Sequence, residues 1–134
     1  MPALPWKTVQ TPEPGARMIA VATELELARH RDIPAFLRLS NAITADMANA
    51  PGLVGHSLSA HPVAKVFRTV SVWSDVASLN AFVGAGRHGA VLASAPFAFT
   101  PNATARWNCT AEDLPLDWSS VTERLRAVIP YRAR

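Results

Sequence analysis

The stretch Val66-Phe67-Arg68-Thr69-Val70-Ser71-Val72-Trp73-Ser74-Asp75 decides the fold. Successive side chains of a strand point to opposite faces, so Val66, Val70 and Val72 share one side and Phe67, Thr69, Ser71 and Trp73 the other. Neither side reads as fully solvated, which predicts a strand covered on both faces. Asp75 then stands where a helix N-cap is wanted, ahead of Val76, Leu79, Phe82 and Val83 facing inward. Gly84 and Gly86 interrupt that helix, a second helical piece is expected from Arg87 to Ala95, and Pro96 ends it.

Working outward from this strand, His61-Pro62 begins a turn that joins Leu53–Ala60 to Ala64–Trp73 as a hairpin. Before it, Asp32 is placed to cap a helix that tolerates Pro34 in its first turn and carries Phe36, Leu37, Leu39, Ile43 and Met47 as an apolar stripe. Asn49 to Gly52 stops that helix. Met18 to Leu27 alternates Ile19, Val21, Leu25 and Leu27 with Ala20, Ala22, Glu24 and Glu26, the period of a first strand. Thr104 to Thr110 supplies the fourth strand, around Trp107. Asp117 or Ser120 opens a last helix with Trp118, Val121, Leu125 and Val128 on one face, and Ser120 and Glu123 have capping-box spacing.

The order is β-α-β-β-α-β with a C-terminal helix, a ferredoxin-like α+β pattern. Right-handed crossovers place both main helices on one face of the sheet and leave the other face bare. A bare face with large apolar residues is an unstable patch in a monomer, so a homodimer through the sheets is expected. Three segments follow: a Pro-rich arm over residues 1–17, the α+β domain over 18–110, and a helix with tail over 111–134. Trp6, a lone large aromatic in the arm, is expected to dock on a neighbouring surface.

The 134 residues suit one domain, and 49% hydrophobic content with 17% charge excludes a disordered chain. No run long enough to span a bilayer occurs, and Met1 to Gly15 lacks the apolar centre of a signal peptide, so a cytoplasmic, membrane-free protein is expected. The net charge of +3 rests on scattered arginines without a basic stripe, which argues against a nucleic-acid partner. One cysteine, Cys109, permits neither an internal disulfide nor a Cys-based zinc site. Gly84-x-Gly86 lacks the third glycine and the strand-to-helix setting of a dinucleotide fingerprint, so no nicotinamide or flavin is expected.

The junction Thr69 to Asp75, followed by Ser78-Leu79-Asn80-Ala81-Phe82, resembles that of the dimeric α+β barrel superfamily, which includes the antibiotic-biosynthesis monooxygenases and haem-degrading monooxygenases. The continuation Phe82-Val83-Gly84-Ala85-Gly86-Arg87-His88 is similar to the spheroidene monooxygenase-like branch and related families. The resemblance implies a small monooxygenase-like oxidoreductase of secondary metabolism, acting on a hydrophobic, polyketide- or isoprenoid-like molecule. It leaves two alternatives open: a haem-binding protein that uses His88, and a stress-associated dimer that binds a small ligand without turnover. Aligned on Trp73 to Phe82, haem-degrading members place their iron-ligating histidine where Leu92 stands and an asparagine where Thr23 stands. Both departures argue against haem cleavage by that route.

His88 and Trp73 are the candidate catalytic residues, and Thr23, Phe67, Phe82, Arg87 and Leu92 the candidate binding residues. His88, at the start of a short helix, is held towards its neutral form by exposed N–H groups and suits a base or an iron ligand; the bland reading is a histidine that closes the glycine break. Arg87 suits an anionic oxygen but equally a solvated helix start. The Trp73 indole N–H can orient a substrate oxygen, or the ring can be core. Thr23 offers a hydroxyl to the helix side of the sheet, whereas Phe67 and Phe82 at strand and helix spacing are core by default. His56 and His61, five positions apart, point to opposite faces and cannot share a metal. The protein is expected to purify colourless, with haemin leaving the Soret band unshifted in wild type and His88→Ala alike. A saturable shift that His88→Ala abolishes would reverse this.

Overall fold

The computed structural model describes residues 5–84 and 99–128 of the chain. Five strands form one antiparallel sheet: β1 (Lys7–Thr8), β2 (Arg17–Leu27), β3 (Leu53–His61), β4 (Val66–Trp73) and β5 (Phe99–Thr110), in the order β1-β3-β4-β2-β5. Three helices accompany it: α1 (Ile33–Met47), α2 (Val76–Gly84) and α3 (Trp118–Val128). The fold is the expected ferredoxin-like α+β arrangement. The expected piece from Arg87 to Ala95 lies outside the described residues. No helix among the described residues is long and apolar enough to cross a membrane.

β2 and β4 form the centre of the sheet, with Ile19 opposite Trp73 and Leu25 opposite Phe67. Alternation sends Ile19, Leu27, Phe67 and Trp73 to the face that α1 and α2 cover, where Phe36 packs at one end and Leu79 at the other. Phe36 and Phe67 meet with ring centroids 4.4 Å apart, and Trp73 lies 5.2 Å from Phe82. After α1, Gly52 takes a φ of +85°, a conformation that favours glycine, and admits the chain to β3. Asp75 accepts the Ser78 backbone N–H at 2.7 Å and caps α2.

The second face is where the structure corrects the sequence. It is not bare. Val121 and Leu125 of α3, each 1% exposed, pack on Ala22, Val70 and Ala105. Met18, Ala20, Val54, Val72 and Cys109 form a layer beside them, against which Trp6 and Trp107 pack. Trp118 Nε1–H donates to Ser57 Oγ at 3.1 Å and fixes the start of the helix on β3. Burying two aliphatic side chains contributes about 1.5–3 kcal/mol each, enough to hold a short amphipathic helix on the sheet. α3 and the arm thus cover residues of the face through which the sequence suggests a homodimer.

Smaller corrections follow from local chemistry. Asp32 makes no capping bond, because its carboxylate is taken by Arg29 Nε at 3.1 Å. Asp117 rather than Ser120 caps α3, accepting the Ser120 backbone N–H at 2.9 Å. β5 begins at Phe99 rather than Thr104, with Pro101 tolerated because β5 is an edge strand. The arm adds β1, and its Trp6 docks as expected.

Gly55 is what allows that docking, since a Cβ there would fall 2.6 Å from Trp6 Cζ2. Gly55→Ala is expected to cost about 1–3 kcal/mol in urea unfolding, as overpacking does. In a Trp6→Ala background the same change is expected to be nearly neutral. Additive costs in that double-mutant cycle would show that Trp6 is not seated on Gly55.

Candidate functional site

The two apolar clusters on the helix-covered face do not meet. Phe36, Leu39, Ser40, Ile43 and Met47 share one side of α1 by the 3.6-residue period, yet only Phe36 is buried and the others stay half-exposed. The helix is thus seated at its N-terminal end by Phe36 on Phe67 and near its C-terminal end by Met47 beside Leu53 and Trp73. Between these anchors the described residues cover the sheet less closely: Thr69 is exposed, and Val21, Thr23, Leu58 and Ser71 are half-buried. A partly polar strip of sheet thus lies beside the apolar side of α1, a candidate groove.

Strand register sets the floor. One row runs Lys7, His56, Ser71, Val21, Arg106 across the five strands, and the next runs Leu58, Thr69, Thr23, Thr104 across four. Directly opposed residues have Cβ atoms about 4.5–5.5 Å apart, so His56 and Ser71 are neighbours, as are Thr69 and Thr23. Trp73 Nε1–H donates to Ser71 Oγ at 2.9 Å. A hydroxyl that accepts from the indole retains its own proton for another partner. His56 is half-buried, and burial first, then the nearby Lys7 ammonium, lower its pKa from the ordinary 6.5. Near neutral pH its imidazole is therefore uncharged, with one nitrogen able to accept a proton. Phe82 also borders an open depression between the end of α1 and α2, with Asp46, Ala50, Pro51 and Ser78.

The structure brings only some of the sequence-derived residues together. Thr23 lies half-buried on the helix side of β2, opposite Thr69. Trp73 is 1% exposed and its N–H is already used, so it meets the groove through Ser71 rather than directly. Phe67, also 1% exposed, is closed into the core by Phe36 and Leu27. Phe82 packs beside Trp73. Arg87, His88 and Leu92 lie outside the described residues. His56 and His61 do point to opposite faces, and the described residues contain no group of three His, Cys, Asp or Glu side chains arranged to hold a metal ion. His56, Ser71 and Thr69 were not singled out from sequence for this groove. The signal was available: counting back from the His61–Val66 pair at the hairpin turn sets His56 opposite Ser71.

No family model and no curated protein matches this sequence. Solved structures share the fold at low identity. A mutant form of SnoaB from Streptomyces nogalater, a cofactor-independent oxygenase, is similar at 14% identity and a TM-score of 0.55, covering 75% of this chain and 98% of that one. A conserved protein from Methanosarcina mazei Go1 is similar at 9% identity and a TM-score of 0.57, covering 69% and 92%. MupZ from Pseudomonas fluorescens is similar at 14% identity and a TM-score of 0.56, covering 67% and 70%. These likenesses define the fold alone: a ferredoxin-like α+β domain, one antiparallel sheet with helices packed on it.

The His56 ring carries a pH signature. Its folded pKa lies below the unfolded 6.5, so between the two values the unfolded chain binds more protons and stability rises with pH. The contribution is complete above 6.5 and is lost as pH falls to the folded value. His56→Gln is expected to remove that part of the acid slope in urea unfolding, and the ring is expected to titrate below 6.5 by NMR. Titration at or above 6.5 would contradict the lowering by burial.

Proposed function

We propose that the chain is a small monooxygenase-like enzyme that binds a hydrophobic small molecule in the groove beneath α1 and needs neither nicotinamide nor flavin. One observation carries this reading: an uncharged imidazole and a set of hydroxyls stand on the floor of a groove with an apolar helix wall. Likeness of fold to a cofactor-independent oxygenase supports it, although fold alone does not transmit function.

The residues suit proton transfer to and from a substrate that activates oxygen itself. His56 accepts a proton from a weakly acidic group of the substrate, and the hydroxyls of Ser71, Thr69 and Thr23 donate to the oxygen left anionic. Leu39, Ile43, Leu58 and Val21 displace water and strengthen those bonds. Dioxygen is the co-substrate: one atom enters the substrate as a new carbonyl at a CH2 carbon, and the other leaves as water with the two hydrogens removed. The electrons come from the substrate carbon.

The protein as purified is expected to consume oxygen in the presence of an enolisable polycyclic ketone, with no dependence on added nicotinamide. His56→Gln is expected to lower kcat by about 100-fold or more, the usual loss for a general base. Thr69→Trp, which fills the floor, is expected to abolish binding while leaving the fold intact by circular dichroism. Tight binding without oxygen uptake would assign the groove to a ligand carrier instead. Failure of a broad panel of hydrophobic ligands to bind would overturn the groove itself.

A further inference from the structure

The back of the sheet, opposite the groove, carries a charged cluster that the proposed function does not use. Arg68 Nε–H donates to Glu24 Oε1 at 2.7 Å, across the central β2–β4 pair. Arg68 Nη1 lies 2.7 Å from His61 Nε2, on β3. The ion pair is largely withdrawn from water, its side chains 19% exposed for Arg68 and 9% for Glu24. Ser59, 2% exposed, lies directly opposite Arg68 on β3. A guanidinium can only donate, so His61 Nε2 must be the acceptor and the imidazole proton sits on Nδ1. The arrangement exists only while His61 is neutral.

The cluster also sits behind the groove floor. Glu24 opposite Arg68 is the pair immediately next to Thr23 opposite Thr69, and His61 opposite Val66 closes the hairpin two pairs further along. The charged or titratable groups on this face of the three strands, among the described residues, are Glu24 and Glu26 on β2, Arg68 on β4 and His61 on β3. α3 turns apolar Val121 and Leu125 towards the same face, and its Arg124 lies over the Trp107 ring at 4.7 Å.

We propose that His61, Arg68 and Glu24 form an acid-sensitive latch, in which protonation of His61 expels its ring from Arg68 and loosens the β3–β4 hairpin as far as Thr69 on the groove side. A protonated imidazole has no acceptor nitrogen, so the bond to Arg68 is lost outright, and two cations then face each other. Arg68 keeps Glu24 but loses its tie to β3. Burial of His61, followed by the Arg68 charge, lowers its pKa, while Glu24 opposes the shift, so the latch holds near neutrality and opens on acidification. The latch involves the strands alone and stands whatever the groove binds.

The test is NMR on the intact protein, with the His61 resonance assigned by its loss in His61→Gln. The wild-type ring is expected to titrate below 6.5 with Nδ1 protonated in the neutral form. Amide exchange over Leu58–His61 and Val66–Thr69, corrected for intrinsic rate, is expected to rise severalfold as His61 becomes protonated. His61→Gln, whose amide oxygen can accept from Arg68 without titrating, is expected to flatten that rise. Equal acid-induced exchange in wild type and His61→Gln would overturn the latch. So would a His61 ring that titrates at or above 6.5, a result that needs no variant.

Discussion

The register of β2 against β4 is the constraint on which the rest depends. A slip of one residue would exchange the two faces of the strand, sending Phe67 and Trp73 to the side now packed by α3 and Val70 and Val72 to the side packed by α1 and α2. Neither cover could accept the exchange. The α1–α2 side is built from large residues that meet Phe36, Leu79 and Phe82, whereas on the α3 side Trp6 of the arm, Trp107 of the neighbouring β5 and Trp118 of the helix pack about the small residues Ala20, Ala22 and Gly55. Size, as well as polarity, therefore fixes the pairing. On β2 and β4, large side chains rise from one end of the first face, and small ones make room for tryptophans on the second.

This explains how much was legible in the sequence. The double covering of β4 was readable from its alternation, and the element order from caps and breaks. What covers the second face was not, because the apolar stripe Trp118, Val121, Leu125 says that α3 is buried without saying against what. Trp6 was read as a docking residue, yet its partner is a glycine, and glycine carries no apolar signal. A bare apolar face calls for cover of some kind, and an intramolecular helix and arm supply cover at a smaller entropic cost than a second chain.

The site was less legible than the fold. Thr23 stood out as a polar interruption on an apolar face, and the structure puts it on the groove floor. Parity separates His56 from His61 as metal ligands, and the same parity puts His56 on the helix face. Trp73 was read through its N–H, but a fully buried indole has to satisfy that group locally. Its partner, Ser71, lies two residues back on the same face, where strand geometry brings side chains together. A buried donor thus converts a core residue into one that orients a hydroxyl at the groove.

Core and groove are consequently coupled through Trp73. Its ring packs with Ile19, Leu53 and Leu79, so the position of Ser71 Oγ is determined by the same contacts that stabilise one end of the sheet. At the opposite end Phe67 is held by Phe36, and between the two lie rows where polar residues replace apolar ones on both faces: Thr23 and Thr69 in front, Glu24 and Arg68 behind. Such rows contribute little hydrophobic stabilisation, and a buried ion pair gives little net stability in return. Their retention in the centre of an otherwise apolar sheet is understandable if α1 must stand away from the floor there. Two aromatic anchors carry the packing at the ends, and the middle carries hydroxyls on one face and a charge pair that joins β2 to β4 on the other.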